Sequence, residues 1–334
     1  MFLSAHSRRV GFVLLKLALT GIVVFAIVWT VNFRAALQLL ATISWATIAA
    51  CLALHLICCW IGGVRLATVL LIFDSKLSTA TATKFTLQSS FFNQAFISII
   101  GGDAFKVWRV HSEGISLVHA TSGVVLERIL GITINHLTFV CFLPLIYRRI
   151  DNEFIRLGLL ALAVGGMAGI VLLLVLGILG RRGMHRVILP VRWRAHRIPV
   201  LLAELATIGR HILAHPGLGI RIGVLTMLLA LVNCLLFLLI LRDWKVEPFV
   251  SWYCALLVPA VLEISLIPVS ISGWGLREGA AVVLFGAVGL TSETSLAASA
   301  AFGLISLAVG LLGGLAWLAD RSLRRLPRAP FKQD

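Results

Sequence analysis

Charged side chains interrupt an apolar sequence at two glycine-rich places, and both have the makings of an anion site. The first is Gly101 to Gly131, GGDAFKVWRVHSEGISLVHATSGVVLERILG. The pair Gly101 and Gly102 opens it, the acid Asp103 follows, and then come the cations Lys106 and Arg109. Glu127 and Arg128 enter apolar sequence that runs on to Pro144. The second place is Ser270-Ile-Ser-Gly-Trp-Gly-Leu-Arg-Glu-Gly279, which holds Gly273, Gly275, Arg277 and Glu278, with Glu263 shortly before it. Glycine allows backbone geometries that other residues resist. Such a stretch can expose N–H groups at the start of the following helix, where anions bind. Arg109, Arg128 and Arg277 could add charge and forked hydrogen bonds to an anion such as phosphate. Asp103, Glu127, Glu263 and Glu278 would then balance the site when it is empty, or accept an amine. The competing reading makes the same charges static struts, with Asp103 paired to Arg109 or Glu127 to Arg277. A third role is proton coupling through Glu127 or Glu263.

The elements that must position these groups are set by composition. The chain has 334 residues, 60% hydrophobic and 13% charged, with a mean hydropathy of +1.02. Several runs approach or exceed the roughly 20 apolar residues that cross a bilayer. The sequence therefore reads as an all-α polytopic membrane protein. Charges in or beside a bilayer are costly, so a functional site is the default reading of both glycine-rich places. The anion that a membrane offers is a lipid phosphate. The net charge is +15, but the cations flank apolar runs as the positive-inside rule expects, which argues against nucleic acid. The six Cys lie in or beside apolar runs without a CxxC pair and read as small buried hydrophobes. The nine His lack metal-ligand spacing, so no metal or cofactor is expected.

In chain order, Gly11 to Val31 follows Arg8 and Arg9 and reads as an uncleaved first span with a cytoplasmic start. The second run is about Ile43 to Phe73, and Arg65 near its end can snorkel to the surface. The third, about Ala82 to Ile100, carries Lys84, Thr86, Gln88, Ser89, Ser90, Asn93, Gln94 and Ser98. Such a polar segment belongs beside a cavity or in the bundle interior, and the glycine pair breaks it. The fourth run is about Ser116 to Ile146, with Asn135 and His136 along it, and the fifth about Leu157 to Leu179. Gly165 and Gly169 give the fifth a GxxxG spacing that lets helices approach closely. A basic loop, Gly180 to Leu218, carries seven Arg and one acid, Glu204. Within it Ile198, Leu201, Leu205, Ile208 and Ile212 recur at helical spacing, as in a helix lying on anionic lipid or packed under the bundle. The sixth run is Gly219 to Leu241, and the seventh, about Phe249 to Val269, is cut by Pro259 and Pro268. Ala280 to Leu290 is too short to span alone. The last run, about Ser295 to Leu318, repeats GxxxG at Gly310 and Gly314 and ends in a basic tail.

The Arg excess places both termini and the 180–218 loop in the cytoplasm. Counting every long run as a crossing gives eight spans and breaks parity at the fifth. Parity returns if residues 82–115 dip in from the cytoplasm and 250–291 dip in from outside. The expected fold is six full spans and two broken, re-entrant hairpins of opposite orientation. Paired broken segments mark the binding site of inverted-repeat transporters. Residues 1–320 read as one transmembrane domain and 321–334 as a cytoplasmic tail, in a bacterial-type inner membrane, with a homodimer as an open assembly.

Both breaks carry a family resemblance. GGDAFKVWRV, then Gly114-Ile-Ser, Ala120 and VVLERILG, resembles one signature of the lysylphosphatidylglycerol synthase transmembrane family, the flippase-like integral membrane proteins. IPVSISGWGLREGA, from Ile267 to Ala280 and about 165 residues further on, is similar to the second. Glu127 stands where an Asp before Arg is common in relatives, which keeps the carboxylate and changes its reach. The resemblance covers most of the chain and implies a polytopic lipid-handling domain. In longer members a soluble aminoacyl-transferase domain follows, and the membrane part is thought to move its product between leaflets. Here sixteen residues follow Leu318, so that activity is not expected. Short relatives are associated with hopanoids, isoprenoid-linked sugars and phospholipids.

The expected function is therefore the handling of a lipid, phosphate-bearing or of isoprenoid or hopanoid type, moved across or between membranes. The alternative is a membrane-embedded transferase, or an accessory subunit, in lipid or glycolipid biosynthesis. Neither GxSxG nor a Walker loop supports enzymology.

Overall fold

In a bilayer, apolar stretches have no water to bond their backbone polar groups, so they fold as helices. The computed structural model describes residues 31–95, 100–181, 214–267 and 273–320. Among these residues every regular element is helical: α1 (Phe33–Ala41), α2 (Trp45–Leu71), α3 (Thr79–Ala95), α4 (Ile100–Ser112), α5 (Leu117–Tyr147), α6 (Glu153–Arg181), α7 (Pro216–Asp243), α8 (Pro248–Ser265), α9 (Leu276–Gly286) and α10 (Ser292–Leu318). Side chains cap several starts. Ser44 accepts from Thr47 N, Ser116 from His119 N, Glu247 from Val250 N and Thr291 from Thr294 N.

Among the described residues six helices are long and apolar enough to cross a bilayer: α2, α5, α6, α7, α8 and α10. All but α8 are spans expected from the sequence. The expected first span, 11–31, falls almost wholly outside the described residues, as do the amphipathic stripe of 198–212 and the tail.

Two antiparallel helix pairs stand where the broken segments are expected. In the first, α3 and α4 run antiparallel. Phe92 stacks on Phe105 with ring centroids 4.2 Å apart, and near the other end Arg109 lies 4.6 Å over the Phe85 ring. Helix α4 is described from Ile100 on, so Gly101 and Gly102 sit in its first turn and do not interrupt it. Gly102 is needed there for a different reason. A Cβ on it would stand 2.3 Å from Asn93 Oδ1 and 2.6 Å from the Ser89 carbonyl oxygen. In the second hairpin, α8 and α9 are also antiparallel. Gly273 abuts Ser265 at the tip, while Gly289, just past α9, meets Val250 near the start of α8. At 11 residues, α9 is about 16 Å long, too short to cross.

Glycines also set how α10 packs. Positions for Cβ atoms on Gly310, Gly313 and Gly314 are filled by α3, and that on Gly303 by Arg277 and Trp274. Thus α10 touches both hairpins. Gly165 and Gly169 in α6, expected at a close helix contact, have nothing within 4 Å of a built Cβ. The close approach is one residue along, at Gly166, whose empty Cβ position is taken by the His136 ring. The largest apolar core joins α5, α7, α8, α9 and α10, where Phe237 stacks on Phe302 and meets Phe285 edge-on. Of the cysteines, Cys51, Cys59, Cys234 and Cys254 are buried and Cys58 is partly so. Cys141, expected inside, is exposed.

Candidate functional site

A cavity of about 380 Å³ opens where the end of α3, the first turns of α4 and the end of α8 approach α2 and α5. The first hairpin contributes Asn93, Gln94, Asp103 and Lys106, and the second contributes Ser265 and Leu266. Arg65 comes from α2, and Glu127 and Arg128 from α5. The polar run in α3 thus faces the cavity with Asn93 and Gln94, as its composition predicts.

Among the described residues, four groups hold the Lys and Arg ion pairs. Glu127 is buried and accepts from two cations: Arg65 Nη2 at 3.0 Å and Lys106 Nζ at 3.1 Å. Arg65 Nη1 also donates to Thr226 Oγ1 at 3.3 Å, so α2, α4, α5 and α7 meet at one carboxylate. Arg65 therefore does not snorkel. It turns inward because a buried carboxylate is there to receive it. Beside this cluster Arg128 pairs with Asp103, and both are partly exposed. The third group lies away from the cavity. Buried Arg109 donates to Asp320 Oδ2 at 2.8 Å, which also receives Lys84 at 3.1 Å and Gln88 at 3.2 Å. The fourth lies at the start of α9, where Arg277 pairs with Glu278 and donates to Ser299 Oγ at 3.2 Å.

Neither strut expected from sequence, Asp103 with Arg109 or Glu127 with Arg277, is among these pairs. Sequence spacing did not show which helix faces would meet. The second glycine motif does adopt its special geometry, with φ of +80° at Gly273 and +84° at Gly275. Its helix start is already occupied, because Glu278 Oε2 accepts from Gly275 N at 2.6 Å. The anion at that N-terminus is the protein's own carboxylate. Arg277 stands over the Trp274 and Phe302 rings, 5.0 Å and 5.5 Å from their centroids. Gly273, Gly275, Arg277 and Glu278 therefore shape and lock the second hairpin and do not line the cavity. Arg277→Ala is expected to cost about 2–3 kcal/mol, the worth of charged hydrogen bonds, because Glu278 keeps Gly275 N and Ser299. Thermal unfolding in detergent measures the loss, and lipid binding by the surviving folded fraction should be unchanged.

Glu263 sits two residues before cavity-lining Ser265. Its carboxyl oxygens lie 2.8 and 3.0 Å from His136 Nδ1, while His136 Nε2 faces the Ala163 carbonyl oxygen at 3.1 Å. That carbonyl can only accept, so Nε2 carries its hydrogen. The short Nδ1–carboxyl contact then needs a proton between its atoms, whichever of the two holds it. Asn135 Nδ2 donates to the Pro259 carbonyl oxygen at 3.0 Å, a second tie between α5 and α8.

Of the residues expected at the site, Asp103, Glu127 and Arg128 line the cavity, and Glu263 adjoins it. Gly102 closes the first hairpin, with Gly101 beside it in the same turn. Arg65, expected at the surface, also lines the cavity, as do Lys106, Asn93, Gln94 and Ser265, which no motif assigns to a site. The signal for Arg65 and Lys106 was their position within or beside apolar runs, where an unpaired cation is expensive.

The chain matches the family described as Lysylphosphatidylglycerol synthase TM region over residues 13–314. No curated protein matches it. With two glycine-rich hairpins, a charged cavity between them and a match over most of its length, the chain belongs to the lysylphosphatidylglycerol synthase transmembrane family.

Proposed function

We propose that the chain binds the phosphate-bearing headgroup of a membrane lipid in the cavity between the hairpins and moves that lipid across the membrane without modifying it. The observation that carries this reading is the Asp103–Arg128 pair. It is partly exposed in the cavity wall, so a phosphate can replace Asp103 on Arg128 without unfolding anything. The Glu127 cluster behind it is buried and holds a fixed positive field. Isoprenoid- and hopanoid-type lipids fit the same scheme only through a phosphate. The Arg excess of the 180–218 loop supports cytoplasmic termini in a bacterial-type inner membrane.

Exposed ion pairs contribute about 0–1 kcal/mol to stability, so Arg128→Ala should fold. It is expected to weaken binding of dioleoylphosphatidylglycerol at least tenfold, about 1.4 kcal/mol, with the unfolding temperature nearly unchanged. Unaltered binding would remove the cavity from consideration. Labelled lipid incubated with the purified protein should be recovered intact, and a new lipid product would favour a transferase instead.

A further inference from the structure

We infer that the cavity selects a headgroup with a single net negative charge, a phosphodiester monoanion, over dianionic and cationic headgroups. This rests on the proposed lipid-binding reading and adds a charge rule to it. Three cations line the cavity, Arg65, Lys106 and Arg128, against two acids, Asp103 and Glu127. One positive charge is in excess. Its location is definite, because Arg128 and Asp103 balance one another while Glu127 alone serves both Arg65 and Lys106. The neighbouring His136–Glu263 pair is tied up in its own hydrogen bonds and does not line the cavity. The residues joining each hairpin's helices, 96–99 and 268–272, contain no ionisable side chain. Among the described residues of the cavity wall, the excess therefore has no protein counter-charge.

A second observation concerns Arg65. Its Nε is buried without a hydrogen-bond partner. Buried donors of this kind are rare and expensive. An incoming monoanion neutralises the cluster. A dianion would leave the site negative by one, and a cationic headgroup would raise its charge to two. Asn93, Gln94 and Ser265 bring uncharged donors and acceptors to the same wall, suited to the hydroxyl and ester oxygens around a phosphodiester.

The test uses the full chain in detergent at about pH 9, where a phosphomonoester carries nearly two charges. The probes are dioleoylphosphatidylglycerol, dioleoylphosphatidate, dioleoylphosphatidylcholine and a cationic dioleoyl-trimethylammonium lipid. Phosphatidylglycerol is expected to bind at least tenfold more tightly than each of the others. Lys106→Gln makes the site neutral and should abolish the preference for phosphatidylglycerol over phosphatidylcholine. Asp103→Asn raises the site to two positive charges and should move the preference toward phosphatidate. If Lys106→Gln does not fold, Asp103→Asn decides alone, since Asp103 is partly exposed. The same rank order in wild type and Asp103→Asn overturns the charge rule. Equal binding of all phospholipids also overturns it while leaving the lipid-binding reading intact, whereas binding of none removes that reading as well. Soluble glycerophosphoglycerol should compete at least tenfold more weakly than phosphatidylglycerol. Equal competition would assign the site to a water-soluble phosphodiester.

Discussion

Glu127→Gln is expected to cost roughly 3–5 kcal/mol of stability, the range for breaking a buried ion pair by removing one partner. The amide keeps the volume and one acceptor oxygen, so packing is not what fails. What fails is charge. Arg65 and Lys106 would face each other across a neutral group, both largely removed from water. The four helices that meet at this carboxylate, α2, α4, α5 and α7, would lose their common tie. Pairing Glu127→Gln with Lys106→Gln restores the wild-type excess of one positive charge. The double variant should therefore recover at least half of the loss, a non-additivity that residues in one network show. Thermal unfolding of the single and double variants in detergent measures both numbers. A single variant as stable as wild type would mean that water reaches the cluster freely. Losses that simply add would mean that Lys106 and Glu127 do not interact.

The element pattern was legible because it rests on composition. Twenty apolar residues in lipid leave the backbone no option but a helix, and five of the spans follow from that alone. The hairpins were legible for a related reason. A segment with Gln88, Asn93 and Gln94 in it cannot face lipid, and a piece as short as α9 cannot cross. Pro259, taken as a cut in the seventh run, lies inside α8 because a proline can be accommodated in a membrane helix.

Pairing was less legible, and the reason is physical. A carboxylate chooses its partner by which helix faces meet, and facing depends on tertiary packing that leaves no periodic trace. Glu127 and Arg128 are adjacent in sequence but point about 100° apart around α5. Glu127 therefore receives Arg65 and Lys106, while Arg128 turns to Asp103. Arg109 and Lys106, one turn apart in α4, likewise divide between Asp320 and Glu127. In the second motif the helix start that could bind an anion is filled by Glu278, three residues on from Gly275. That is the spacing of a capping box, and in sequence it reads equally as a site acid.

Gly313→Leu is expected to abolish the folded protein, and Gly313→Ala to cost at or above roughly 3 kcal/mol, the upper end for overpacking. A Cβ at position 313 would lie 2.0 Å from the Leu87 carbonyl oxygen and 2.9 Å from its carbon. Both atoms are backbone, so no side chain can swing aside. Helix α3 cannot retreat either, because a Cβ on Gly63 of α2 would lie 2.4 Å from Thr83 Cα on that helix. Glycines on two neighbours thus clamp the arm that carries Asn93 and Gln94 to the cavity. The matching spacing in α6 provides the control. Gly165→Ala and Gly169→Ala meet nothing within 4 Å and gain the helix preference of Ala over Gly, about 1 kcal/mol, so they should be neutral or slightly stabilising. Heating each variant in detergent and measuring the surviving monodisperse fraction by size-exclusion chromatography separates the two sets. Similar behaviour of Gly313→Ala and Gly169→Ala would show that α10 and α3 do not pack as closely as this interface requires.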